Sequence, residues 1–382
     1  MMIKLLTSAC ILLLFLNVAE SSRALAAGGG GNVTSTKRHH DHDHDHGGDR
    51  ASHKHMLFVF GDEFADAGNL ATEASLGGYS RTWRYPFGES DAAHGRKPTG
   101  RFSDGLVQSD YMAKIMGKRE SPPAYNGDGW DGEVVDPSGL NFAVGGAGVM
   151  RAPPGAAPAG ARVAMLRAQV TQLRDLVSDG LLDDKDFDES VALVAFSGND
   201  YAQVGDADGF EALIPMVVDE VASLVSELLD MGVTKVVVNT LPPFGCTPWL
   251  ARGSNYTACN GGANDGPAKH NAMLRDRLDG DDDVMVLDVY TVMMDMVAPP
   301  AEGSELSARF KERLQPCCES YGGGEDGAYC GDPDGRYWLC DHPEDYFYWD
   351  FVNPTQAGWR AVMQMLQGPI MAFLGISQLN HF

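Results

Sequence analysis

The chain has 382 residues, of which 44% are hydrophobic and 21% are charged, so it is long enough to bury the core of one large globular domain. Its formal net charge of −24 predicts a surface that repels polyanions. This charge argues against a nucleic acid or an anionic membrane as a partner.

The first 26 residues have the pattern of a secretory signal peptide. Lys4 gives a positive start, Leu5–Leu16 is a short apolar run, and Ala24-Leu25-Ala26 offers a small-x-small cleavage site. The apolar run is too short for a comfortable membrane span, and no second run of this kind follows. We therefore expect a secreted, extracellular protein that is free of the membrane after cleavage.

Residues 27–55 form a Gly- and His-rich segment that we expect to be disordered, because it cannot bury enough apolar surface to fold. Neutral imidazoles can bind zinc, copper or nickel. We prefer to interpret the segment as a solvated spacer, and the alternative is a metal site. Its candidate ligands are His39, His40, His42, His44 and His46.

From Met56 onward, apolar strands alternate with amphipathic helical patterns. A helix is predicted near Pro215–Met231, with Gly232 at its C-terminal end. Buried strands that alternate with helices indicate an α/β fold, in which a mainly parallel sheet is covered on both faces. The predicted strands are Met56–Phe60, Val191–Phe196, Lys235–Asn239 and Val284–Asp288.

Two polar turns follow predicted strands, at the carboxyl ends where such sheets bind ligands. They are Gly61-Asp62-Glu63 and Ser197-Gly198-Asn199-Asp200. We expect the first turn to lead into a helix. Any site on this sheet should therefore include side chains from these two turns.

Six cysteines outside the signal region predict three disulfides, although the sequence leaves the pairing open. The adjacent Cys317 and Cys318 should bond to different partners. A zinc site is the rival interpretation, but no His stands at ligand spacing among these cysteines. Two sequons, at Asn32 and Asn255, also fit the secretory route.

Seven short motifs follow one another between the first predicted strand and the last helix. They are GDEFADAGN at 61–69, GRFSDG at 100–105, NFAVGGAG at 141–148, SGNDY at 197–201, NTLPPFGCTP at 239–248, HN at 270–271 and FYWDFVNPT at 347–355. In this order they resemble the plant GDSL esterase/lipase family of the SGNH hydrolases. The resemblance implies a three-layer α/β/α sandwich of flavodoxin-like type. It also implies hydrolysis or transfer of carboxylic acyl esters without a cofactor, on an acyl or acetyl ester, a lipid or a cell-wall glycan.

The resemblance also assigns roles to five positions. Gly146 and Asn199 match the donors that hold the oxyanion, and Asp350 matches the acid that orients the base. Glu63 stands where the family has its Ser nucleophile, and Asn353 stands where the family has its base His. The two residues that perform the family's chemistry are therefore replaced.

Both replacements have a structural interpretation as well. Glu63 is expected in the first turn of a helix, where unpaired N–H groups favour an acid. Asn353 followed by Pro354 is expected to cap the final helix. An amide cannot accept a proton at useful pH, and a carboxylate near a developing oxyanion opposes catalysis. We therefore predict that hydrolysis is lost or strongly reduced, while a pocket for an acyl or glycan ligand remains.

Two alternatives stay open at this stage. In one, Glu63 supports an altered hydrolytic mechanism with help from Asp350 or His342. In the other, the protein acts as a secreted metal binder through His39–His46.

Overall fold

The computed structural model describes residues 55–70, 80–126, 132–151, 163–202, 204, 206–298, 303–321, 328–378 and 382. The predicted signal peptide, the sequon at Asn32 and the candidate metal site His39–His46 lie outside these residues. His55, at the start of the described chain, has its Nδ1 2.8 Å from the carbonyl oxygen of Glu189.

A parallel sheet of five strands forms the centre of the domain. The strands are β1 Leu57–Gly61, β2 Gly139–Asn141, β3 Val191–Ala195, β4 Lys235–Asn239 and β5 Val284–Leu287. They lie in the order β2-β1-β3-β4-β5, and every neighbouring pair is parallel. The four predicted strands are confirmed. The register places Gly61 beside Ala195, so the carboxyl ends of β1 and β3 lie next to each other.

Helices cover both faces of the sheet, as the alternation of elements predicted. They are α1 Gln108–Ile115, α2 Leu166–Ser178, α3 Asp184–Phe187, α4 Ala207–Asp230, α5 Pro248–Ala251, α6 Asp265–Leu278, α7 Val289–Val297 and α8 Gln356–Leu374. Phe58 and Phe60 of β1 lie in one core with α2, α4 and α6, whereas Leu57 and Val59 lie in a second core with α1, α7 and α8. The three-layer α/β/α architecture is therefore confirmed. None of the described helices is both long and apolar enough to cross a membrane.

The predicted helix before β4 is confirmed, but it begins earlier than its sequence pattern indicated. α4 starts at Ala207 and carries Pro215 inside it. The side chain of Asp206 accepts a hydrogen bond from Gly209 N–H and caps the helix. The C-terminal end lies where Gly232 predicted it, with Gly232 at a φ of 104°.

A small disulfide-linked region lies between α7 and α8. Its strands are β6 Glu312–Pro316, β7 Cys318–Ser320, β8 Tyr337–Leu339 and β9 Tyr346–Tyr348. Two disulfides, Cys317–Cys340 and Cys318–Cys330, lie in this region. The third, Cys246–Cys259, lies before α6. This confirms three disulfides and separate partners for the adjacent cysteines. Phe87 and Trp349 pack with four of these cysteines in a third apolar cluster.

The expected helix after β1 is wrong. Asp66 N–H donates to the Asp62 carbonyl oxygen at 2.9 Å, which closes one turn, and no regular helix follows up to Leu70, where this described segment ends. The Asp66 side chain accepts hydrogen bonds from Gly68 N–H and Asn69 N–H at 2.7 and 2.6 Å. These side-chain bonds to backbone N–H groups compete with the backbone hydrogen bonds of a helix. The segment up to Leu70 therefore does not continue as a helix.

The expected cap of the last helix is also wrong. α8 begins after Thr355, whose hydroxyl accepts a hydrogen bond from Gly358 N–H at 2.9 Å. Asn353 lies two residues earlier, and its side chain is bonded to Asp350 instead. Thr and Asn are both good caps, so the sequence alone did not decide between them.

Candidate functional site

The two predicted turns meet where β1 and β3 end. Gly61 has a φ of 151°, and a Cβ atom at this position would lie 2.0 Å from the Ala195 carbonyl oxygen. Glycine is therefore required for the two strands to run this close together. Because β2 and β3 lie on opposite sides of β1, the order of the sheet changes direction here, which is a usual place for a ligand site.

The Glu63 carboxylate accepts hydrogen bonds from three separate groups. Its Oε2 accepts from Gly146 N–H at 3.0 Å and from Asn199 Nδ2 at 2.9 Å. Its Oε1 accepts from the Ser197 hydroxyl at 3.0 Å. The side chain is only 9% exposed. The two groups that the resemblance assigns to an oxyanion are therefore engaged by a carboxylate of the chain itself.

Asp62 precedes Glu63 in the chain and is fully buried. Its Oδ2 accepts from Ser197 N–H at 2.6 Å, and the Ser197 Oγ and Asn199 Nδ2 atoms lie 2.8 and 3.2 Å from it. Burial, together with the neighbouring charge of Glu63, raises the pKa of Asp62 well above its usual value. Asp62 therefore holds a proton more readily than an isolated aspartate would.

Two further buried acids hold the loop that carries Gly146. Asp66 Oδ2 accepts from Gly145 N–H at 2.8 Å, and Asp200 accepts from the three consecutive N–H groups of residues 149–151 at 2.7 to 3.1 Å. Burial raises the pKa of Asp66 to about 6 and also raises that of Asp200. Asp66 had no predicted role, and Asp200 was expected only as part of the turn after β3, although each acid stands inside one of the seven motifs. They position the loop and so aim Gly146 N–H at Glu63.

The Asp350 and Asn353 side chains form a separate hydrogen-bonded group. Asn353 Nδ2 donates to both carboxylate oxygens of Asp350 at 3.0 Å, and Asn353 N–H donates to Oδ1 at 2.8 Å. Asn353 is 2% exposed, and its Oδ1 has no hydrogen-bond partner among the described residues. Asp350 thus orients a side chain, but this side chain has no basic nitrogen.

The Phe102 ring contacts Arg81 on the side of Asp350 and Gly145 in the loop that carries Gly146. A guanidinium nitrogen of Arg81 lies 3.9 Å from Asp350 Oδ2, and the guanidinium carbon lies 5.2 Å from the centre of the Phe102 ring. The same ring packs against Gly145, where a Cβ atom would lie 2.2 Å from it. Within the described residues, no hydrogen bond joins Glu63 to Asp350 or to Asn353. The two groups therefore do not form one hydrogen-bonded triad.

The histidines of the described chain do not supply a base to Glu63. His342 is 69% exposed, and its Nδ1 lies 3.2 Å from Glu344 Oε1. His270 is buried with its Nδ1 2.7 Å from the Tyr201 hydroxyl, and burial lowers its pKa to about 4. Where the structure describes the chain, no three His, Cys, Asp or Glu side chains are grouped so that they could hold a metal ion.

Comparison with known proteins gives consistent matches over most of the chain. The family model described as GDSL-like lipase/acylhydrolase matches residues 57–366, from β1 into α8. A GDSL esterase/lipase of Arabidopsis thaliana is 32% identical over 333 residues, which is 83% of this chain and 95% of that protein. A second A. thaliana GDSL esterase/lipase is 31% identical over 334 residues, which is 83% of this chain and 87% of that protein. The match to the family model includes every strand of the central sheet.

Proposed function

The chain belongs to the GDSL-like lipase/acylhydrolase family, and we propose that it is a secreted member in which ester hydrolysis is lost or strongly reduced. The observation that carries this proposal is the position of the Glu63 carboxylate. It takes the hydrogen bonds of Gly146 N–H and Asn199 Nδ2, the two donors that the family resemblance assigns to the oxyanion.

The electrostatics of the site work against ester hydrolysis. The oxyanion that forms from an ester carbonyl needs free donors, and loss of a single such donor typically costs about 3 kcal/mol of transition-state stabilisation. Here both donors are taken, and the group that takes them carries the same charge as the oxyanion. Asn353 adds a second obstacle, because its amide cannot remove a proton from an attacking group.

We further propose that the protein binds a ligand beside Glu63 without turning it over. The ligand classes are those of the family: an acyl or acetyl ester, a lipid or a cell-wall glycan. A carbonyl group of such a ligand would lie outside the donor set, since Glu63 holds the donors. Secretion is supported by the three disulfides, which form in oxidising compartments, and by the signal-like first 26 residues.

The proposal is tested by restoring the family's residues. We expect wild-type protein to hydrolyse p-nitrophenyl acetate and butyrate at no more than background rate. The double variant E63S/N353H should raise kcat/KM by at least about a hundredfold, because the loss of nucleophile or base in a related system lowers the rate on the order of a millionfold. The exposed residue Glu344 provides the control E344S, which should not gain activity.

A conservative variant separates this proposal from an altered mechanism that uses Glu63. E63Q keeps the shape of the side chain and cannot act as a base. If the wild type hydrolyses either ester and E63Q abolishes that hydrolysis, then Glu63 is catalytic and the proposal is wrong.

A further inference from the structure

The Ser197 hydroxyl and the Asn199 amide nitrogen have fewer hydrogen atoms to donate than acceptor oxygens within hydrogen-bond distance. Ser197 Oγ carries one hydrogen, yet it lies 2.8 Å from Asp62 Oδ2 and 3.0 Å from Glu63 Oε1. Asn199 Nδ2 carries two hydrogens and faces three acceptors, one on each carboxylate and the Ala147 carbonyl oxygen. A proton on Asp62 that is donated to Ser197 Oγ leaves the Ser197 hydroxyl free to donate to Glu63.

The surroundings of the two carboxyl groups differ. Glu63 accepts hydrogen bonds from Gly146, Ser197 and Asn199, which stabilise a negative charge. Asp62 is fully buried, and its raised pKa favours the neutral form. The proton is therefore placed on Asp62, and the three donors face the carboxylate oxygens of Glu63.

We propose that Gly146 N–H, Ser197 Oγ and Asn199 Nδ2 form a carboxylate-binding site, and that Glu63 fills it as a tethered ligand. The inference rests on the proposed function, because both concern the same site. The ligand class is a monocarboxylate, such as acetate or a longer acyl acid. A tethered group reaches an effective concentration in the millimolar range or above, so Glu63 excludes external carboxylates of ordinary affinity.

Charge balance predicts what happens when the tethered ligand is removed. Without the Glu63 carboxylate, the site keeps the three donors, and burial, the larger cause of the raised pKa of Asp62, still favours its neutral form. One external monocarboxylate then restores both the charge and the three hydrogen bonds. A negatively charged Asp62 would instead repel the incoming anion.

The test measures acetate binding by titration calorimetry, with sodium chloride at equal ionic strength as the salt control. The Kd of the E63A variant for acetate should be at least tenfold lower than that of the wild type. The double variant E63A/N199A should lose at least tenfold of this affinity, because one donor is missing. E344A removes an exposed acid elsewhere and should bind acetate no better than the wild type.

The inference is overturned if folded E63A binds acetate no more tightly than the wild type. If E63A does not fold, E63S takes its place, since Ser is the residue that the family has at this position. Ester hydrolysis is measured separately. Turnover by the wild type that depends on Glu63 would end the proposed function, whereas weak acetate binding by folded E63A would end only the present inference.

Discussion

The Glu63 carboxylate follows β1 and accepts hydrogen bonds from two other segments of the chain. Its Oε2 lies where Gly146 N–H and Asn199 Nδ2 converge, and its Oε1 lies beside the Ser197 hydroxyl. A carboxylate has the same oxygen geometry as the acid that an ester hydrolase releases. Glu63 therefore satisfies all three of these donors.

Burial lowers the pKa of His270, and this makes the free energy of unfolding depend on pH. Its folded-state pKa is about 4, whereas an unfolded histidine has a pKa of about 6.5. Between these values only the unfolded chain binds the proton, so the free energy of unfolding should fall as the pH drops from 6.5 towards 4. The loss should reach at most about 3 kcal/mol.

This prediction is checked by urea unfolding of the wild type and H270Q at several pH values. Gln keeps an acceptor for the Tyr201 hydroxyl but does not titrate. The stability of the wild type relative to H270Q should therefore decrease by up to about 3 kcal/mol between pH 7 and pH 4. A pH-independent difference would show that His270 is not the group responsible. H342Q, at an exposed site, is the control substitution.

At the scale of elements, the site depends on how the loop after β2 is held. Asp200 follows β3 and accepts from the N–H groups of residues 149–151, while Asp66 follows β1 and accepts from Gly145 N–H. Buried N–H groups without partners are costly, so these acids replace the regular hydrogen bonding that the loop lacks. The loop is thus fixed by two acids, one that follows β1 and one that follows β3.

The variant D200A should loosen this loop and destabilise the protein. Hydrogen bonds to a charged group contribute about 1.5 to 3 kcal/mol each, and their partial replacement by water should leave a loss of about 3 kcal/mol in the free energy of unfolding. Hydrogen exchange should speed up at Val149, Met150 and Arg151. D276A, at an exposed position of α6, should change the stability by no more than about 0.5 kcal/mol. Unchanged exchange at the three amides would contradict the role assigned to Asp200.

At the scale of the whole molecule, the chain consists of a sheet with two apolar cores and a small disulfide-linked region beside it. Cys246–Cys259 and Cys318–Cys330 close loops of nearly equal length, with sequence separations of 13 and 12. Because the loops are matched in length, the loss of either bond should release a similar amount of chain entropy in the unfolded state. Of these two bonds, only Cys318–Cys330 belongs to the small disulfide-linked region.

We expect C318A/C330A and C246A/C259A each to lower the free energy of unfolding by about 2 to 4 kcal/mol. In C318A/C330A, hydrogen exchange should rise first at β7 and β8, while the amides of β1 and β3 stay protected. This pattern would follow from the separate apolar cluster that the cysteines form with Phe87 and Trp349. Equal loss of protection in the central sheet would show instead that the region and the sheet unfold together.

The sequence was most informative where the pattern is local. Val191–Ala195 and Lys235–Asn239 are apolar runs, and such runs indicate buried strands whatever their neighbours are. β2 was missed because Gly139–Asn141 is only three residues long and ends in a polar residue. The starts of helices were also uncertain, since several nearby residues can act as caps.

From the sequence alone, the α/β class and the family could be determined, because short motifs and residue periodicity are local properties. Only the tertiary structure decided that Glu63 takes the donors of Gly146 and Asn199, which lie 83 and 136 residues away along the chain. It also decided that Asn353 bonds to Asp350 instead of capping α8. The physical reason is that a hydrogen bond depends on the positions of atoms in space, and the parallel sheet brings together turns that are far apart in the sequence.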